Sequence, residues 1–491
     1  MPGSGIGTAL WKGHPLMTAP DSVVQAMLYD LDARADLIRG FVYECVREKG
    51  PVASPDHIVA LYVVSSRTHD VGSVGAEVSY HMTSGVRNPA PGTLLAECTG
   101  EVLAAEEFDA SGRIGLVWVG FPFKMMQQDD GKVYTTDILH LMGGEGVFGL
   151  TDHSDIQLAH LEIPDAVLAT FPGPAYGAAG IREATSFPPG MPMFGTILKP
   201  TSGITAAEVG KLVGETAGNP LFGFVKEDEN LNPGATFCPL ADRAREAVAA
   251  IRAHAEERGG VGLFFAPHIT APPDRLMQYL DAALEAGVNA VMFSDQFVGG
   301  TTRIVREATA HLDAPPAIYA HNGGISCKTR AIWREVLDLF VRLDGADFRQ
   351  TAPLTTEAPL LRPNSREWLE CEKALTNPLG HIKPVMIARA GGLDQGNIIL
   401  NLRDAAQRGY GDGVLYLAGS AINSIKASSG VLSPELGSAA MREALEAYTA
   451  GEVMGENPQA HVDELYAYAL ARGKAALKAA LEQRYRRLLY R

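Results

Sequence analysis

What this chain lacks narrows it first. No Gly-x-Gly-x-x-Gly and no Walker A loop opens any helical stretch, which argues against a dinucleotide-binding sheet or a P-loop enzyme. The five cysteines, Cys45, Cys98, Cys238, Cys327 and Cys371, are odd in number and include no Cys-x-x-Cys pair. They read as reduced thiols of a cytoplasmic protein, none of them catalytic. No segment approaches ~20 apolar residues, and the N-terminus has no basic region followed by a long apolar run, so neither a membrane span nor a signal peptide is expected. Cationic surplus is absent too: 42 Lys and Arg stand against 57 Asp and Glu, a net charge of −15. Nucleic acid and anionic membranes are thereby excluded as main partners, and an anionic substrate has to be held by local groups.

What is present is a globular balance of 46% hydrophobic and 20% charged residues over 491 positions, enough for two domains. Residues 1–20, rich in Gly and Pro, read as a flexible extension. Residues 21–172 mix helix-like pieces with alternating runs such as His57–Ser65, Arg113–Gly120 and Ala166–Phe171, the pattern of an α+β domain. Residues 173–491 are organised differently. Short β-type runs at Met193–Lys199, Phe222–Lys226, Val261–His268, Ala290–Ser294, Ala317–His321, Asp347–Gln350, Pro384–Arg389 and Val414–Gly419 alternate with amphipathic helices. Eight β-then-α units in succession predict a (β/α)8 barrel, with a doubly wound sheet as the weaker alternative.

The densest chemistry lies at Leu221–Asn230, where an apolar strand runs into Lys-Glu-Asp-Glu-Asn. Alternation puts Lys226 and Asp228 on one face, and Glu229 follows where the strand becomes a loop. An uncharged lysine amine can take up CO2 as a carbamate, a hard oxygen anion that a divalent cation stabilises. Carbamylated Lys226, Asp228 and Glu229 would then ligate Mg2+ and leave positions open for substrate. Taken by itself such a cluster is more often a solvated loop, and its surroundings reverse that balance toward a site. Other polar residues gather at the strand ends where barrel chemistry sits: Lys199, His268, Asp295, His321, Arg349, Arg389. Gly391 and Gly392, with Gly419 and Ser420, end strands seven and eight, where backbone N–H groups commonly bind phosphate.

This arrangement resembles the large subunit of ribulose-bisphosphate carboxylase/oxygenase, RuBisCO, and the RuBisCO-like proteins. The resemblance runs from Gly75-Ala-Glu-Val through Phe171-Pro-Gly-Pro and Gly195-Thr-Ile-Leu-Lys-Pro to Phe224-Val-Lys-Glu-Asp-Glu-Asn, His321 and Gly391-Gly392. It implies an N-terminal ferredoxin-like domain before the barrel and a homodimer with shared active sites. It also implies one Mg2+ per subunit on carbamylated Lys226, Asp228 and Glu229. Lys199 would handle protons at an enediolate, and His321 falls on the strand-five histidine of the family site.

The departures carry information as well. The loop after strand six, Thr351-Ala-Pro-Leu-Thr-Thr-Glu-Ala-Pro, lacks the lysine that carboxylation needs. Family positions fall on Thr201, Asn322, Gln350 and Ala390, and in the N-terminal domain on His81 and Gly146. Together these indicate a RuBisCO-like protein and not a true carboxylase. A glycine-rich phosphate site without the opposite arginine suggests one phosphate, and Arg349 with Arg389 could form a carboxylate fork. The favoured expectation is a Mg-dependent lyase that passes a phosphorylated keto sugar acid, of the 3-oxo-isoapionate 4-phosphate type, through an enediolate by decarboxylation or transcarboxylation. The alternatives are an enolase or isomerase of a methylthio-sugar phosphate, and a non-catalytic relative that keeps only the fold.

Overall fold

The computed structural model describes residues 35–489 except 53, 150–153, 298 and 356–365. The expected extension 1–20, and part of the loop after strand six, therefore lie outside the described residues. Contacts divide the chain into two compact units, one of residues up to Phe171 with Ile325–Phe340, the other Pro172–Gly324 with Val341–Arg491. Residues 325–340, which the sequence pattern places in the barrel, thus pack with the N-terminal unit.

In the first unit, β1 (His57–Ser66), β2 (Glu101–Glu107), β3 (Ile114–Pro122) and β4 (Ser154–Glu162) form an antiparallel sheet in the order β2-β3-β1-β4. Helix α1 (Val71–His81) connects β1 to β2, and α2 (Thr135–Met142) connects β3 to β4. This is the ferredoxin-like βαββαβ order. Asp70 starts α1 by accepting the Ser73 N–H at 2.8 Å, a standard N-cap.

The second unit is the barrel. Its strands are β5 (Met193–Ile197), β6 (Phe222–Lys226), β7 (Phe264–Ala266), β8 (Ala290–Phe293), β9 (Ala317–Ala320), β10 (Phe348–Thr351), β11 (Met386–Ala390) and β12 (Val414–Ala418). They lie parallel in the order β7-β6-β5-β12-β11-β10-β9-β8, and a single bridge between His268 and Met292 closes β7 onto β8. Alternation builds two cores. Met193, Phe224, Ala266, Met292, Tyr319, Phe348, Met386, Ala388 and Leu417 fill the barrel, while Val225, Phe265, Val291, Ile318 and Ala320 pack outward with the helix layer. Gly195 is required in β5, because a Cβ there would sit 2.8 Å from the Phe224 carbonyl oxygen. Helix α3 (Ala206–Ala217) opens with a Thr205–Glu208 capping box; α4 (Leu240–Ala253) and α5 (Thr301–Thr309) follow. No helix among the described residues is long and apolar enough to cross a membrane.

Candidate active site

The end of β6 sets the site. Pleating sends Phe224 and Lys226 into the barrel and Val225 and Glu227 outward. Lys226 is fully buried, with Nζ 3.1 Å from the Glu227 carbonyl oxygen, 3.2 Å from Met292 Sδ and 3.9 Å from Glu229 Oε2. The amine also lies 5.4 Å from the centre of the Tyr319 ring. Burial pulls its pKa down to about 8, against the pull of Glu229 and Asp228. Glu227 faces the other way, and both its oxygens are engaged by Arg243 of α4, at 2.7 and 3.0 Å. The His268 backbone N–H adds a third bond to Glu227 at 2.9 Å.

Asp228 carries the Lys199 ammonium as a direct ion pair and accepts from the Asn230 N–H at 3.1 Å and Nδ2 at 2.8 Å. Burial pushes its carboxyl up, but these donors outweigh it and leave the pKa below the usual range. Glu229 reaches His321, whose Nε2 is 3.4 Å from Oε2. The Gly323 N–H donates to His321 Nδ1 at 3.0 Å. A neutral His321 therefore carries its proton on Nε2, toward Glu229. Burial, with Lys226 and Arg349 nearby, holds the pKa of His321 well below its ordinary value. His268 has the opposite tautomer, since its Nδ1 meets the Leu231 carbonyl at 3.0 Å, and burial lowers its pKa as well.

The rest of the mouth is neutral. Tyr319 is fixed by stacking on Phe224 and Phe348, with ring centres 5.4 and 6.1 Å away. Its hydroxyl donates to Gln350 Oε1 at 2.8 Å, and Gln350 Nε2 donates to Asn322 Oδ1 at 3.1 Å. Burial and the Glu229 charge raise the Tyr319 pKa well above its usual value, so it is a protonated donor. Gly391 and Gly392 follow β11 with φ of 93° and 98°, a left-handed pair that side chains would strain. Gly419 follows β12 beside Lys199, whose Cε would be 3.6 Å from a Cβ at that position. Ser420 is exposed and opens the short helix Ser420–Asn423. Asn423 ties this corner together, with Nδ2 donating to Thr196 Oγ1 and the Ile197 carbonyl at 2.9 Å and to the Gly419 carbonyl at 3.1 Å.

The expected arginine fork is not formed. Arg349 and Arg389 occupy the outward positions of their strands, in step with Ile387 and opposite to Phe348, Met386 and Ala388. Arg389 binds Glu372 at 3.0 and 2.9 Å and Asp404 at 2.6 Å. Burial opposes its charge, but those two carboxylates raise its pKa above the ordinary value. Arg349 donates to the carbonyls of Ala320 and His321 at 3.3 and 3.2 Å. Counting residue parity along each strand could have revealed this, because the arginines have the parity of the outward apolar residues. Asp295, another strand-end candidate, accepts the Thr302 N–H and hydroxyl at 3.1 and 2.8 Å at the start of α5. Glu227, Tyr319 and Asn423 were missed as organising residues. Of these only Glu227 had a signal, its place between two inward-facing groups.

The donor set fits Mg2+ on one condition. Among the described residues, no group of three or more His, Cys, Asp and Glu could hold a metal ion. Asp228 and Glu229 supply two carboxylates, so a hard cation needs further oxygen donors, which a carbamate on buried Lys226 would provide.

Comparison with known proteins bears on this geometry. Residues 182–358 match the family described as ribulose bisphosphate carboxylase large chain, catalytic domain. A 3-oxo-isoapionate-4-phosphate decarboxylase of Rhizobium rhizogenes is 30% identical over 339 residues, covering 68% of this chain and 75% of that protein. A ribulose bisphosphate carboxylase-like protein of Allochromatium vinosum is 29% identical over 344 residues, covering 69% and 71%. The crystal structure of the octameric Rubisco of Pyrococcus horikoshii superposes with a TM-score of 0.73 over 88% of this chain and 94% of that one. At 21% identity that likeness establishes the shared fold alone.

Proposed function

Since this chain belongs to the RuBisCO large-chain family, as a RuBisCO-like protein, we propose that it decarboxylates a phosphorylated 3-oxo sugar acid of the 3-oxo-isoapionate 4-phosphate type. One observation carries the reading: Lys199, Lys226, Asp228, Glu229 and His321 converge in one barrel mouth. A relative at 30% identity is a decarboxylase of that substrate.

Lys226 as a carbamate, with Asp228 and Glu229, would hold Mg2+. When bound, the ion supplies Lewis-acid stabilisation of negative charge growing on the keto oxygen. The remaining steps belong to the side chains. In a β-keto acid the bond to the carboxylate carbon breaks, its electron pair becomes the enolate, and a proton must return to carbon. Lys199, about one-third exposed and paired with Asp228, would deliver that proton. His321 Nε2–H would donate to oxygen, and Gly391, Gly392, Gly419 and Ser420 would seat the phosphate through backbone N–H groups. Buried Lys226, with its pKa lowered to about 8, has the uncharged fraction that carbamylation requires. The family also supports a homodimer with shared sites.

Proton NMR in D2O tests the proposal, with Mg2+, bicarbonate and a panel of phosphorylated 3-oxo sugar acids and ketoses. The expected result is CO2 release from an oxo-acid phosphate that disappears in Lys226→Ala. Deuterium exchange without CO2 would move the protein to the enolase and isomerase group. Silence across the panel would favour a non-catalytic relative.

A further inference from the structure

The mouth of the barrel is chemically lopsided. At the ends of β11 and β12 lie Gly391, Gly392 and Gly419, while the ends of β9 and β10 present amides: Gln350 and Asn322, both half-buried. The arginine of β10 is turned outward, and its guanidinium binds the Ala320 and His321 carbonyls. A doubly charged phosphate needs a cation or several convergent donors. This side of the mouth has an ordered amide in that place.

The order comes from the barrel floor. Phe224 and Phe348 fix the Tyr319 ring. Its hydroxyl donates to Gln350 Oε1 at 2.8 Å, which turns Gln350 Nε2 toward Asn322 Oδ1 at 3.1 Å. With the Tyr319 proton on Gln350 Oε1, each bond sets the polarity of the next: the Gln350 amide presents Nε2 to Asn322, and Asn322 accepts through Oδ1. The chain ends with Asn322 Nδ2, which makes no hydrogen bond among the described residues.

We infer that Asn322, oriented by the Tyr319–Gln350 relay, is a specificity-determining residue that donates to an uncharged substrate oxygen, so that the site takes a sugar monophosphate and gains nothing from a second phosphate. The inference rests on the proposed reading that the glycine side seats one phosphate, but it does not depend on which bond is broken. Gln350 is then a positioning residue. Gln350→Glu leaves the Tyr319 proton a partner but forces the Asn322 amide to turn over, presenting Oδ1 where Nδ2 was.

Calorimetric titration without turnover tests this, using a five-carbon polyol 1-phosphate and the matching 1,5-bisphosphate as probes on the full chain with Mg2+. The wild type should bind the two within threefold of each other. Asn322→Asp and Gln350→Glu should each weaken the monophosphate about tenfold, whereas Asn322→Arg should shift preference to the bisphosphate at least tenfold. Thermal melts of each variant separate lost affinity from lost folding. A wild type that prefers the bisphosphate tenfold, or binds neither probe, overturns the inference. So do folded Asp and Glu variants with unchanged affinity. Absence of CO2 release in the NMR assay would sink the decarboxylase reading and leave this binding result standing.

Discussion

Glu227 and Arg243 form a fully buried, two-pronged ion pair, with Nε to Oε1 at 2.7 Å and Nη2 to Oε2 at 3.0 Å. The pair lies on the far side of β6 from the barrel interior. It anchors the strand end to α4 between the two residues, Lys226 and Asp228, that face the mouth. Removing one partner leaves an uncompensated buried charge, which typically costs about 3–5 kcal/mol. Arg243→Met should lose stability of that order by urea denaturation. Glu227→Leu combined with Arg243→Met should recover most of it, and a double variant as unstable as the single one would show that the pair's geometry, and not its charge balance, holds the strand.

Lys226 links stability to pH. Its ordinary pKa of 10.5 falls to about 8 in the fold, so between those values the unfolded chain binds more protons and stability rises with pH. Below about pH 8 the folded protein carries the full cost of a buried ammonium, on the order of 3 kcal/mol. In CO2-free buffer, Lys226→Met should therefore be more stable than wild type at pH 7, with the gap narrowing toward pH 10.5. Urea melts at pH 7 and pH 10 decide it, and an equal gap at both would remove the lysine as the cause. The same variant should lose tight Mg2+ binding and CO2-dependent activation.

Arg389 is expected to be structural. Arg389→Met strands Glu372 and Asp404 in the helix layer and should cost about 3–5 kcal/mol. KM should stay within twofold of wild type. A tenfold rise in KM with little change in melting temperature would restore the arginine to substrate binding.

His321 should stay neutral through the working range, because burial and its cationic neighbours hold its pKa well below the ordinary value. His321→Gln should lower kcat by about 100-fold, the general acid–base scale, without shifting an acid limb near pH 6.5. If the pH profile of kcat has a limb there that His321→Gln abolishes, the histidine is titrating and the tautomer argument fails.

The sequence by itself determined the barrel, two of the four strands before it (β1 and β3) and the group at the end of β6, whereas the alternating run Ala166–Phe171 starts as a short helix, Asp165–Leu168, and contains no strand. What was legible is local: strand and helix periods, and the alternation that puts Lys226 and Asp228 on one face, with Glu229 following where the strand becomes a loop. Lys226, Asp228 and Glu229 are legible because they need no partner from elsewhere in the chain to be brought together. Tertiary structure decided the rest. Arg349 and Arg389 are chemically suited to a carboxylate, but their strand parity and the acids of neighbouring helices turn Arg389, and backbone carbonyls turn Arg349, away from the mouth. The Tyr319–Gln350–Asn322 relay spans two strands and has no sequence period at all. Hydrogen bonds between residues far apart in the chain depend on register and rotamer, which closure of the barrel sets and no local pattern encodes.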